Sequence, residues 1–189
     1  MFAACLLSMV VLSGCKENAW TPMGNAELVL SQIKLGGAAA VARRIDDDEA
    51  FGQTVMSGVA TGDSAWLEVA RNVQLRSAAA EASMAIALAA ALPHSPRPVV
   101  ALLGRKYPVA EVCSIPLHTA DSQSVNSYRD SAALALARVK DTAFVAERDA
   151  CVAELDQARE RKLRRIDPSY LIKNKPKPLV TRRRRKPSK

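Results

Sequence analysis

Four cysteines, two histidines and a few clustered carboxylates are the side chains of this chain that could carry chemistry. Cys5, Cys15, Cys113 and Cys151 show neither a CxxC spacing nor the Cys/His spacing that holds zinc. His94 and His118 each stand alone in a Pro-containing stretch, which reads as a surface position rather than as a general base or ligand. The acidic run Asp46-Asp47-Asp48-Glu49 lacks the alternating ligands and the glycine of a calcium loop. Its carboxylates suit a helix start instead, where they meet the positive end of the dipole. Glu81, inside an Ala-rich stretch, reads as a carboxylate that pairs with a neighbour or reaches the surface. No G-x-S-x-G, H-E-x-x-H, P-loop or GxGxxG pattern is present. No catalytic residue, metal or cofactor is therefore expected.

The exception to this silence is Leu12-Ser13-Gly14-Cys15, which closes an apolar stretch beginning at Phe2. A secretory signal has an apolar centre of roughly 7–15 residues followed by small residues at the cut. Phe2 to Leu12 and Ser13-Gly14 supply both, although no Lys or Arg precedes Cys15. The segment resembles the lipobox signal of bacterial lipoproteins. That resemblance implies that Cys15 carries a diacylglyceryl group and becomes the mature N-terminus. It also implies outer-membrane sorting, because the residue after the cysteine is Lys16 rather than Asp. A membrane-spanning helix needs about 20 apolar residues, and Lys16-Glu17-Asn18 ends this run too early. The competing reading is a cytosolic protein whose apolar N-terminus happens to spell the motif.

With export granted, the cysteines sort themselves. Cys5 leaves with the signal and Cys15 is consumed by lipid, so Cys113 and Cys151 remain as an even pair in an oxidising compartment. A bridge between them would restrict the unfolded chain by about 4 kcal/mol in the loop-entropy model. The alternative is two buried thiols acting as small apolar side chains.

Charge divides the chain more sharply than its net +8 suggests. Residues 158–189 hold fourteen Lys/Arg against Glu160 and Asp167, whereas residues 1–157 carry a net charge of −4. The body is mildly acidic, and the basic character belongs to the end of the chain. After Asp167-Pro168 the apolar periodicity stops, and Pro with like charges disfavours a packed fold. Residues 166–189 therefore read as a disordered Lys/Arg/Pro-rich tail. Its anion-binding candidates are Lys173, Lys175, Lys177, Arg182, Arg183, Arg184, Arg185 and Lys186. Near an anionic membrane surface each such group contributes about 1 kcal/mol, which would add avidity to a lipid anchor. The final basic run has no aromatic platform on which bases could stack, since no aromatic residue follows Tyr170.

Between these termini, a short tether at 16–22 leads into residues 23–165, long enough for one domain with its own core. Abundant Ala, few aromatics and no long apolar/polar alternation predict an all-α fold, a single irregular multi-helix bundle. Leu28, Val29, Ile33 and Leu35 mark a first helix stopped by Gly36-Gly37. Asp46 is the expected N-cap of a second, with Glu49 three residues on. Asp63 or Ser64 opens a third, with Trp66, Val69 and Val73 on one face. Ser77 to Leu92 is apolar on most sides and reads as internal, with one stripe at Leu75, Ala79, Ala82, Ile86 and Ala89 and another at Met84, Leu88 and Leu92. Short helices are expected at Val99–Leu103 and Val109–Cys113, each entered through a proline. Val125, Tyr128, Ala132, Ala135 and Val139 mark the first arm of a C-terminal antiparallel hairpin, and Phe144, Cys151, Leu155 and Ala158 mark the second. Cys151 then faces inward, toward Cys113.

Three functions follow from these readings. The favoured one is a lipid-anchored envelope protein, a non-enzymatic helical module held at the membrane by Cys15, facing the periplasm. Its tail would contact an anionic envelope polymer or lipid, or its helical face a protein partner. The second is a periplasmic enzyme acting on cell-wall material, with Glu81 or Glu111 as acid; it requires a cleft with paired carboxylates about 5–10 Å apart. The third, a cytosolic nucleic-acid binder using the tail, follows only if the lipobox is accidental, because export makes nucleic acid an unlikely ligand.

Overall fold

A computed structural model of the chain describes residues 23–116 and 121–169. Cys5, Cys15, His118 and the basic side chains from Lys173 onward lie outside the described residues. Within them are nine α-helices, one 3₁₀ turn and no strand, only a bridge between Leu103 and Tyr107. The fold is all-α, an irregular helical bundle.

Local signals set most of the helix starts. Asp63 accepts from the backbone N–H groups of Ala65 and Trp66, opening α4 (Ser64–Asn72), which buries Trp66, Val69 and, just past its end, Val73. Ser77 caps α5 (Ala78–Ala91) by accepting from Ala80 N–H at 3.1 Å. Asp121 does the same for α8 (Ser122–Leu136) through Ser124 N–H at 2.7 Å, a bond that holds its carboxyl below the usual range. Pro96 stands at the start of α6 (Pro96–Val100), and Pro108 immediately precedes α7 (Val109–Val112).

The N-terminal half differs from expectation in one element. Residues after Gly37 form a helix of their own, α2 (Ala38–Asp47), between α1 (Met23–Gly36) and α3 (Glu49–Ala60). Gly37 makes the break, with φ at +85°. Asp46 consequently belongs to the end of α2, and the N-cap of α3 is Asp48, whose carboxylate accepts from Phe51 N–H at 3.0 Å. In α1, Val29 is buried, whereas Leu28 is 57% and Leu35 90% exposed.

At the other end of the domain, α8 and α9 (Val145–Ile166) form the expected antiparallel hairpin through a 3₁₀ turn at Thr142–Phe144. Its register is fixed by Arg129 to Asp156 at 2.5 Å and Arg159 to Asn126 at 2.5 Å, pairs that step in opposite directions along the two helices. Asp141 opens the turn by accepting from Ala143 N–H, and Arg97 on α6 reaches it at 3.0 Å; the amide and then the guanidinium hold this carboxyl below the usual range. Val125, Ala132, Ala135, Cys151, Leu155 and Ala158 all face inward.

The main core draws buried side chains from every helix from α1 to α9, with Trp66, Met84, Leu88 and Leu92 fully enclosed. The stripe Met84, Leu88, Leu92 points into it as expected. The other stripe does not: Ala79 and Ala82 are exposed and Ile86 is 39% exposed, with only Ala89 at its end fully buried. Helix α5 is therefore internal on one side and exposed on the other.

Candidate functional site

Two recesses flank α5. The first is a groove along the α3–α5 seam, with a volume of about 650 Å³. Small residues create it. Gly52, Ser57 and Ala60 line it from α3, and Ala79, Ser83 and Ala90 from α5, so the two helices leave a trough between their backbones. Met56 and Ile86 supply its larger apolar surface. At the end where α5 begins, Asp46 and Glu49 are its only charged lining residues. Asp46 accepts from the Ser77 hydroxyl at 2.6 Å, and Glu49 accepts from Gln53 Nε2 at 3.0 Å. Neither joins an ion pair among the described residues. The groove is mainly apolar, with Gln53, Ser57 and Ser83 among its lining, and negative at one end.

The second recess lies between the end of α4, the start of α5, the 105–108 loop and α7, and is more polar, with a volume of about 730 Å³. It brings together Glu81 and Glu111 with Arg71, Arg105 and Lys106. Glu81 is exposed rather than buried. Lys106 donates to the carbonyls of Arg71, at 2.6 Å, and Val73, which closes the C-terminal end of α4, and burial lowers its pKa. Tyr107 donates to the Ala70 carbonyl at 2.9 Å. Burial, then the nearby Glu81 charge, pushes its hydroxyl pKa upward. Lys106 and Tyr107 are thus used to hold α4 in place, and the carboxylates and Arg105 are left at the rim.

Among the other chemistry-bearing residues, His94 is exposed beside Ser95, whose hydroxyl donates to the Gly62 carbonyl at 2.6 Å and ties two loops together. Cys113, closing α7, and Cys151, in α9, are both fully buried, and their sulfurs are joined at 2.00 Å with a Cα separation of 5.2 Å. The bond ties the hairpin to the rest of the core through α7. No described helix is long and apolar enough to cross a membrane.

Sequence reasoning placed Glu81, Glu111, His94 and the two cysteines but did not find the groove. A signal for it existed. Ala79, Ala82, Ser83, Ile86 and Ala90 share one face of α5, and Ser83 is the polar residue that marks that face as the outer one. Comparison with protein-family models, curated proteins and solved structures returned no match.

Proposed function

We propose that this chain is a lipid-anchored protein of the bacterial envelope, a non-enzymatic helical binding module held at the membrane by Cys15. Its basic tail, Lys173 to Lys186, meets anionic envelope polymer or lipid. The observation that supports this most is the pairing of Cys113 with Cys151 in a chain whose first fifteen residues end in a lipobox. Disulfides persist in oxidising compartments and are rare in the cytosol. Two features, one at the N-terminus and one inside the folded domain, therefore agree on export.

The binding role is supported by the α3–α5 groove, which gives a partner an apolar trough. A second reading, carboxylate acid–base chemistry on cell-wall material, has one observation in its favour: Glu81 and Glu111 line the same polar recess. The Glu81→Gln/Glu111→Gln double variant separates the two, because a binding module keeps its cellular role in that background and an enzyme of this kind loses it.

Anchoring is tested by metabolic labelling with palmitate in a bacterial host. Label enters the wild-type protein and is absent from Cys15→Ala, which shifts to the soluble fraction. Labelling that survives Cys15→Ala, or that is absent from the wild type, contradicts the proposal.

A further inference from the structure

The outer face of α5 is an apolar face bordered by a groove. Ile86 is 39% exposed there and lines the groove together with Met56, and the charge at the groove's end is wholly negative, from Asp46 and Glu49. A matching ligand needs a short apolar anchor followed by cations. Outside the described residues at the C-terminal end this pattern occurs twice, as Leu171-Ile172 before Lys173 and as Leu179-Val180 before Arg182-Arg183-Arg184-Arg185. The first lies too few residues beyond Ser169 to cross two helices, and only the second carries an unbroken run of cations. Pro176 and Pro178, just before the anchor, favour an extended strand-like segment that fits a narrow trough without first forming a helix.

The path is also available. The end of α9 lies against the start of α8, where Leu163 and Ala158 share a cluster with Val125 and Tyr128. The Tyr128 hydroxyl in turn donates to the Ala89 carbonyl of α5 at 2.7 Å. Ala89 adjoins Ala90, which lines the end of the groove opposite Asp46. Crossing from α9 over α8 to α5 takes two helix-to-helix steps of about 10 Å each. The ten residues from Ser169 to Leu179 span about 33 Å when extended, more than enough. A tail entering at the Ala90 end meets Ile86 and Met56 first, then the carboxylates, in the order in which its own apolar and basic residues occur.

We propose that the C-terminal segment Leu179–Arg185 docks in cis in the α3–α5 groove, with Leu179-Val180 against Ile86 and Met56 and the arginines at Asp46 and Glu49. Docking masks the tail's cations, so an anionic surface must compete with Asp46 and Glu49 to recruit it.

The test places a photoreactive benzoylphenylalanine at position 180 of the full chain, irradiates it at low protein concentration and maps the products by mass spectrometry. Docking in cis gives cross-links within one chain to the peptides holding Met56 and Ile86. Ile86→Glu lowers their yield about tenfold by setting a charge against the apolar anchor, and so does serine at all four of Arg182–Arg185. Because Ile86 is partly exposed, its replacement leaves helicity unchanged, which circular dichroism verifies; the four-arginine variant is read in parallel, as its substitutions touch none of the described residues. Cross-links mainly between two copies, cross-links scattered over the domain, or a yield indifferent to both variants overturn the proposal.

Discussion

Gly58 shows how far a single missing side chain sets this core. A Cβ there would lie 2.2 Å from Cε2 and 2.3 Å from Cδ2 of Trp66, a residue with no solvent exposure. Glycine inside a helix costs about 1 kcal/mol relative to alanine. Here it lets the Trp66 indole lie directly on the backbone of α3, and no local pattern in the sequence announces that approach. Gly58→Ala is expected to lower the unfolding free energy by about 1–3 kcal/mol, because neither the indole nor the α3 backbone can withdraw without opening the core. Gly36→Ala is the control, since its nearest neighbour would be Ala40 Cβ at 4.0 Å. Urea midpoints of the two variants decide the matter: equal midpoints would show that Trp66 has room that the structure denies it.

Side-chain caps made several helices legible. Asp63, Ser77 and Asp121 each precede an apolar periodic run, and each caps the helix expected from it. Helix α2 was missed because it opens at Gly37 with no side-chain cap and has only Val41 and Ile45 as apolar side chains larger than alanine, beside Arg43, Arg44, Asp46 and Asp47. The outward stripe of α5 was misplaced for a different reason. When a helix is apolar all round, periodicity cannot say which face its neighbours will reach, and that is settled by tertiary contact. The groove was hidden with it, since it depends on small residues from two helices meeting. The hairpin was read correctly in outline, and the disulfide shows what holds it: α9 is bonded through Cys151 to the end of α7. Cys113→Ala/Cys151→Ala is expected to lose about 4 kcal/mol of stability, from the freedom regained by the unfolded loop. A urea midpoint unchanged in that variant would mean that the bond adds nothing to what the surrounding core already provides.

The whole chain divides its work between a mildly acidic helical body, a basic C-terminal end and an apolar start that closes at Cys15. The body provides the α3–α5 groove and the covalent tie between α7 and α9. The termini provide the charge and, in the function proposed, the address. The proposed placement in the envelope would join these parts, since it would account for the cysteine pair and turn the Arg182–Arg185 run toward anionic envelope material rather than nucleic acid. That placement is the central claim, and mass spectrometry of the protein purified from bacterial membranes tests it most directly. The account predicts an N-terminal peptide that begins at Cys15 and carries the mass of a diacylglyceryl group, together with a joined Cys113–Cys151 peptide under non-reducing conditions. An unmodified Cys15 inside a longer N-terminal peptide, with Cys113 and Cys151 as free thiols, would contradict it.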